Sequence, residues 1–271
     1  MKLGIISDPH LNWLWDKIKA SDDKAWNERM FWMLPDADIL VIAGDICDDD
    51  EKAFKWAGRS WMAVVSERYK YVVFVTGNHS YWGASFGNLE RKIEEHIKKQ
   101  KLDNVIFLNN SCFHVPETDI VFVGGTLWTD FNKHDPLCLH NADYYMNDYR
   151  YIKDENYRKI TPERIAFEHH KTRKYIEHVA QENKDKRIVV VTHHLPSYAL
   201  CAEEYRGQES NHYYASSMED VILDNENIKL WCSGHVHHRI QKEIGQCLCC
   251  INAVGYAGQE TQRYQPMAIE I

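Results

Sequence analysis

The chain has 271 residues, of which 44% are hydrophobic and 12% are aromatic; this composition excludes a disordered protein and suits one large domain with a buried core. Its 40 acidic residues outnumber its 32 basic residues and give a formal net charge of −8, which disfavours a protein that follows nucleic acid along a basic face. No apolar run approaches the ~18–20 residues of a membrane span, and the first residues lack a signal-peptide pattern, so we expect a reduced, cytoplasmic protein without a membrane partner.

Five short, largely apolar runs are predicted to be strands, and the uninterrupted run 39–43, bounded by a turn signal at Gly44, is predicted to be buried on both faces of a sheet. Each run is followed, within one to three residues, by a side chain that can bind a metal ion. The runs, each with the candidate metal-binding residues after it, are residues 3–7 with Asp8 and His10, 39–43 with Asp45, 71–75 with Asn78 and His79, 187–191 with His193, and 228–232 with His235 and His237.

The side chains after these strands are expected to converge, because open α/β sheets bind ligands at the carboxyl ends of their strands. Two metal ions ~3.5–4 Å apart require mixed oxygen and nitrogen ligands and a bridging carboxylate. No single motif is specific, but their joint arrangement predicts a dinuclear hydrolytic metal centre with Asp45 at its hub.

Segments with helical periodicity lie between the apolar runs. Asp49 and Asp50 stand at the start of one of them, where free backbone amides and the helix dipole favour acids. Ser216 and Glu219 form a predicted capping box that opens a short helix. The longer predicted helices cover residues 22–34, 50–68, 90–101 and 161–181, a hairpin is predicted at 115–123, and residues 243–271 are predicted to be short strands and turns that close a second sheet.

Eight Cys are present, and Cys247 and Cys250 form a CxxC pattern. The pattern lies in an alternating, strand-like segment with no second Cys pair nearby, so we favour packing within a strand over a zinc site.

Two stretches, at about residues 128–157 and 198–217, are irregular and rich in aromatic side chains. Long loops of this kind in a compact domain are usually functional. We interpret them as insertions in a single domain of residues 1–271 that form the substrate side of the site. Arg206, Tyr198 and His212 are the candidate substrate contacts.

The motifs together resemble the calcineurin-like metallophosphoesterases, in family order from residue 3 to residue 237. Residues 128–130 and 146–150 are also similar to a bacterial and phage branch of that family. The matching motifs are D-x-H (Asp8, His10), G-D-x-x-D (Gly44, Asp45, Asp48), G-N-H (Gly77, Asn78, His79), a strand-end His (His193) and G-H-x-H (Gly234, His235, His237).

This resemblance implies an α/β fold, a four-layer α/β/β/α sandwich of two mixed β-sheets flanked by helices. It implies that Asp45 bridges two metal ions, for which the donor types suit Mn, Fe or Zn. It further implies that Asp8, His10 and His237 hold one ion and that Asn78, His193 and His235 hold the other. A strand-end His followed by a turn with Pro favours His193 over His194, which stays the alternative ligand.

The family's mechanism is attack on phosphorus by a metal-bridging hydroxide. By resemblance, His79 protonates the leaving alkoxide or stabilises the phosphoryl group, and Asp48 orients His79. The alternative for His79 is a further metal ligand or a supporting His.

Two departures from the family's motifs narrow the range of expected substrates. The family's protein phosphatases carry Arg and Glu where this chain has Asp49 and Ser80, so protein phosphatase activity is disfavoured. We expect hydrolysis of a small phosphomonoester or phosphodiester, and we do not expect nucleic acid as a stable partner. The alternatives are a nuclease or nucleotide pyrophosphatase of the same fold and, from another class, a catalytically silent scaffold or binding module.

Overall fold

The described residues form two mixed β-sheets that face each other, with helices on their outer surfaces. The computed structural model describes residues 1–15, 26, 28, 30–56, 58–256, 258 and 260–271. Its strands are β1 (Lys2–Ile6), β2 (Ile39–Ala43), β3 (Tyr71–Val75), β4 (Val105–Phe107), β5 (Ser111–His114), β6 (Ile120–Gly125), β7 (Arg187–Thr192), β8 (Ile228–Ser233), β9 (Arg239–Ile244), β10 (Cys247–Asn252) and β11 (Met267–Glu270).

The strand order brings the carboxyl ends of the predicted strands together. The first sheet has the order β11-β1-β2-β3-β4, with β1 to β4 parallel and β11 antiparallel to β1. The second has the order β5-β6-β7-β8-β10-β9, in which β6, β7, β8 and β10 are parallel. A parallel bridge between Ser7 and Ala253 joins the two sheets where β1 and β10 end.

Buried apolar side chains fill three layers. The middle layer lies between the sheets, and Ile5, Val41 and Val73 of the first sheet share it with Phe122 and Val189 of the second. All five residues of β2 are buried, as expected for a strand covered on both faces. The outer layers pack each sheet against helices, which confirms the predicted four-layer sandwich.

The helices of the described part agree in place with several predicted ones. The longest, α6, begins with Thr161 as N-cap and Pro162 at its first position, both favoured helix starts. None of these helices has the length and apolar character needed to cross a membrane. Their bounds are α1 (Leu11–Trp15), α2 (Trp61–Ser66), α3 (Asn88–Gln100), α4 (Pro136–Tyr145), α5 (Asp148–Tyr151), α6 (Pro162–Glu182) and α7 (Glu219–Asp224).

Some local predictions were wrong. The helix predicted at 50–68 is a 3₁₀ turn at Asp50–Phe54 followed by α2, because Ser60 caps a new helix by accepting from the Ala63 amide. The capping box does not form: the Ser216 hydroxyl accepts from the Asp130 amide instead, and α7 starts at Glu219 itself. The helix predicted at 22–34 lies partly outside the described residues.

Two further local predictions are confirmed, and two are corrected. The hairpin is confirmed as β5 and β6, and the CxxC segment is the buried strand β10, with the Cys unpaired. The chain after residue 243 completes both sheets rather than the second alone, since β11 joins the first. Residues 128–157 contain α4 and α5 instead of an irregular loop, preceded by a helical turn at Phe131–His134 with positive φ angles.

Candidate metal centre

Side chains from five strand ends meet at one edge of the two sheets. The Asp45 carboxylate follows β2 and lies 3.2 Å, through Oδ2, from Nε2 of His193, which follows β7. The same His193 nitrogen is 3.1 Å from Oδ1 of Asn78, which follows β3. His235 joins Asp45 and His193 in a group whose donor atoms lie within 4.8 Å of one another. The structure therefore assembles one predicted ligand set.

A second set lies beside the first. Nε2 of His10, after β1, is 3.2 Å from Nε2 of His237, after β8. Asp8 Oδ1 is 3.7 Å from the same His237 nitrogen. Asp45 Oδ2 is also 4.0 Å from His10 Nε2, so this carboxylate stands between the two sets. That is the position which a bridging ligand requires.

The backbone of the centre is strained at its donor residues. Asp8, His10, Asp45 and His235 have φ angles of 51°, 41°, 52° and 69°, in the left-handed region that residues other than Gly seldom occupy. Such strain persists only when the surrounding structure enforces it, and it clusters at functional sites. Here the His235 amide donates to Asp8 Oδ1 at 3.0 Å, which ties two strained loops together.

Two glycines permit the close approach of these loops. A Cβ on Gly234 would lie 2.6 Å from the Ala43 carbonyl oxygen and 2.7 Å from Asp8 Oδ2, and one on Gly77 would lie 2.6 Å from Cγ of Asp45. Carbon atoms do not approach oxygens or other carbons so closely, so any larger residue would force the carboxylates out of place.

The donor set fits metal ions. Asp8, Asp45 and His10 are fully or almost fully buried, and buried carboxylates need a compensating charge. The buried Nε2 of His235 has no hydrogen-bond partner among the described residues. Burial lowers the pKa of the His10 and His235 imidazoles, which keeps them neutral, the form that binds a metal.

His193 and Asp45 form the ion pair at the centre. Burial by itself lowers the pKa of His193, but the Asp45 carboxylate offsets this effect and raises the pKa to about 9. Burial likewise works to raise the pKa of Asp45, yet His193 and His79 hold it well below its ordinary value. The two side chains thus stabilise each other's charged forms.

The structure brings His193 rather than His194 to the ligand atoms. His194 points its Nδ1 at the Thr126 carbonyl oxygen, 3.3 Å away. Its ring packs against the ring of His235, with centroids 4.3 Å apart. His194 therefore packs against the predicted ligand His235 and directs its own Nδ1 at a backbone carbonyl.

His79 occupies a position next to the metal-binding donors. Its amide donates to Asp45 Oδ1 at 2.9 Å, and its Nδ1 is 2.8 Å from Asp48 Oδ1. The other Asp48 oxygen accepts from Asn12. Burial works to lower the pKa of His79, but Asp45 and Asp48 together raise it. Because Asp48 engages Nδ1, the second ring nitrogen is the one available to a substrate.

Asp148 is a site residue that sequence reasoning did not identify. Its buried Oδ1 accepts from Asn78 Nδ2 at 2.9 Å and from Trp82 Nε1 at 2.8 Å. The first bond turns the Asn78 amide so that its oxygen faces His193, and the second holds an indole ring stacked on His79 with centroids 3.7 Å apart. The only sequence signal was the likeness of residues 146–150 to one branch of the family.

Asp50 has a further role that the helix-start interpretation missed. Its buried carboxyl group accepts from the Cys47 amide at 2.9 Å and from the Ser80 hydroxyl at 2.6 Å. The Ser80 oxygen in turn accepts from the Gly77 amide at 2.8 Å. Asp50 therefore joins the loop that carries Asp45 to the loop that carries Asn78.

The three expected substrate contacts lie elsewhere. Arg206 is exposed and pairs with Glu203, while the Tyr198 hydroxyl is 3.0 Å from Nδ1 of His212. None of the three lines the cavity of about 250 Å³ that opens onto the centre. That cavity is lined by Asp45, Asn78, His79, Trp82, Tyr145, Met146, Asn147, Asp148, Tyr214, His235, His237 and Tyr256.

Comparisons with known proteins agree with this geometry. A model of the calcineurin-like phosphoesterase family matches residues 1–239. A phosphopantetheinyl hydrolase from Mycobacterium tuberculosis is 16% identical, with 98% of this chain and 93% of that chain covered and a TM-score of 0.67. A dimetal phosphatase from Danio rerio is 13% identical, with 93% and 86% covered and a TM-score of 0.52. A Thermus thermophilus protein, TT1561, is 11% identical, with 99% and 98% covered and a TM-score of 0.53. No curated protein matches the sequence.

Proposed function

Because the chain belongs to the calcineurin-like phosphoesterase family and is a metal-dependent phosphoester hydrolase, we propose that it hydrolyses a small phosphomonoester or phosphodiester at a dinuclear centre. The observation that carries this proposal is the position of the Asp45 carboxylate between two donor sets. Asp45 Oδ2 is the oxygen that lies towards both sets, so this carboxylate would be shared by the two ions.

Asp8, His10 and His237 would hold one ion, and Asn78, His193 and His235 would hold the other. Imidazole-rich sets with carboxylate and amide oxygens suit Mn, Fe or Zn. When bound, two such ions stabilise negative charge on phosphoryl oxygens and lower the pKa of water to about 7, so that a nucleophile forms at neutral pH.

The chain's own residues would direct the proton that the leaving group needs. Asp48 accepts from Nδ1 of His79, so in the protonated imidazole the second proton, on Nε2, is the one that would be presented to the cavity. As the P–O bond breaks, this proton would pass to the leaving oxygen, and the carboxylates of Asp45 and Asp48, which raise the pKa of His79 against the effect of burial, favour the protonated imidazole.

Replacing Asp45 with Asn tests the proposal. We expect the variant to lose metal-dependent hydrolysis of 4-nitrophenyl phosphate and of bis(4-nitrophenyl) phosphate, and to bind fewer than two metal ions per chain. Asp103→Asn, which changes an exposed carboxylate, is the matched control and should behave like the wild type. Full activity of Asp45→Asn would rule out this mechanism. Single-stranded DNA and dinucleotides in the same assay test the nuclease and pyrophosphatase alternatives.

A further inference from the structure

Tyr256 places a phenolic hydroxyl beside Nε2 of His79, the ring nitrogen that Asp48 does not contact. The hydroxyl oxygen is 3.3 Å from His79 Nε2, and both side chains line the cavity that opens onto the metal centre. Tyr256 follows β10 and lies beyond residues 1–239, which the family model matches. None of the family motifs includes it.

The chain around Tyr256 is anchored to the first ligand loop. The Val254 amide donates to the Ser7 carbonyl at 2.9 Å, and the Gly255 amide donates to the Asp8 carbonyl at 3.0 Å. These two bonds continue the bridge between the sheets up to the residue before Tyr256. The backbone of Tyr256 is therefore positioned by the same loop that carries the predicted ligand Asp8.

The ring of Tyr256 packs on the imidazoles of two predicted ligands. Its centroid is 4.5 Å from that of His10 and 4.6 Å from that of His237, and Trp13 covers it at 5.3 Å. A ring held among three others has little rotational freedom. The hydroxyl consequently has a defined position relative to both the metal ligands and His79.

Two donors at this separation can share one acceptor. Atoms 3.3 Å apart can both lie about 2.8 Å from a single oxygen placed between them and on the cavity side. Nδ1 of His79 is already engaged by Asp48, so Nε2 of the protonated imidazole and the Tyr256 hydroxyl would form the donor pair beside the cavity. Without substrate they contact each other, and an ester oxygen would replace that contact with two hydrogen bonds.

We propose that Tyr256 is a second catalytic residue, whose hydroxyl donates a hydrogen bond to the leaving oxygen of the phosphate ester beside His79. This inference rests on the proposed phosphoesterase function. When the P–O bond breaks, its electron pair goes to the leaving oxygen and the proton comes from His79 Nε2. Tyr256 keeps its own proton and stabilises the developing negative charge.

If Tyr256 donates to the leaving oxygen, the loss of kcat in a variant without its hydroxyl should depend on the leaving group. Nitrophenolate leaves without needing a proton. Phenolate is more basic and depends more on proton and hydrogen-bond donors, and an aliphatic alkoxide depends on them most. Tyr256→Phe keeps the ring and removes the hydroxyl. We expect it to lower kcat about 10- to 100-fold for an aliphatic phosphate ester, by less for phenyl phosphate, and by less than about threefold for 4-nitrophenyl phosphate.

The test measures kcat for wild type and Tyr256→Phe on these esters, with metal content and thermal unfolding of each protein. Tyr69→Phe is the matched control, because it removes a buried hydroxyl that donates to the Pro35 carbonyl far from the centre; its kcat should be unchanged for every ester.

The outcomes separate the two proposals. An equal loss on all esters, no loss on any, or a loss explained by missing metal would each overturn the leaving-group role of Tyr256 while the phosphoesterase function stands. A wild-type protein that hydrolyses none of the esters with any of the three metals would overturn the proposed function and this inference with it.

Discussion

At the scale of single residues, the orientation of Asn78 depends on Asp148. An amide side chain can present either its oxygen or its nitrogen to a neighbour, and only the oxygen is a metal ligand. Asp148 accepts from the amide nitrogen and from the indole of Trp82, so one buried carboxylate orients a predicted ligand and the ring that stacks on His79. Outer partners of this kind influence metal affinity strongly.

We expect Asp148→Ala to lower metal affinity or kcat by about 10- to 100-fold, because the Asn78 amide loses the acceptor that fixes it. Metal titration and steady-state kinetics measure the two effects. Asp143→Asn, at an exposed position on the same segment, is the control. Wild-type affinity and kcat in Asp148→Ala would show that Asn78 is oriented by other contacts.

At the scale of elements, the turns after β2 and β3 are joined by the carboxyl group of Asp50 through Cys47 and Ser80. Burial is the largest influence on this carboxyl group, and it raises the pKa from 3.8 to about 7 even though two donors oppose the shift. The connection between the two loops thus contains a group that titrates differently in the folded and unfolded chain.

This difference sets a pH dependence of stability. Between roughly pH 4 and pH 7 the folded protein keeps a proton on Asp50 that the unfolded chain has released, so its contribution to the free energy of unfolding falls as pH rises. We expect Asp50→Asn, which cannot ionise, to gain stability relative to wild type over this range, by up to about 4 kcal/mol.

Urea denaturation of the metal-free proteins at roughly pH 5 and pH 8 measures this effect. The quantity to compare is the difference between the free energies of unfolding of Asp50→Asn and wild type at each pH. Asp103→Asn serves as control. A difference that is the same at both pH values would contradict the raised pKa of Asp50.

At the scale of the whole molecule, each predicted metal would take ligands from both sheets. Asp8 and His10 come from the first sheet and His237 from the second. The other set combines Asp45 and Asn78 of the first sheet with His193 and His235 of the second. Bound ions would therefore cross-link the two halves of the sandwich, and the energy of metal binding would contribute to the stability of the fold.

We expect metal at a hundred times its Kd to raise the free energy of unfolding by about 2.7 kcal/mol per site. The affinity should increase with pH by up to about tenfold per unit towards pH 9, because His193, whose pKa is raised to about 9, must lose its proton before it binds. Thermal unfolding with and without metal, at roughly pH 6.5 and pH 8.5, measures the shift. The shift should be greatly reduced in Asp45→Asn; a pH-independent shift in the wild type would contradict the expectation.

Several features of the fold could be predicted from the sequence because they depend on local patterns. Short, largely apolar runs predicted the strands β1, β2, β3, β7 and β8, and the side chains after them are the ones that converge. The break between residues 54 and 61 was missed, because helical periodicity continues through it and only the Ser60 cap shows where the second helix begins.

The sequence by itself determined several strands and the donor types, because apolar runs and motif spacing are local properties of the chain, and the resemblance of its motifs to the calcineurin-like metallophosphoesterases implied the two-sheet sandwich. Only the tertiary structure decided that His193 rather than His194 faces Asp45, that Asp148 orients Asn78, and that Tyr256 reaches His79. These contacts join residues that are far apart in the sequence, or depend on which way one of two neighbouring side chains points. A local sequence pattern predicts neither a contact between distant residues nor the direction of a side chain, because both depend on how the two sheets pack.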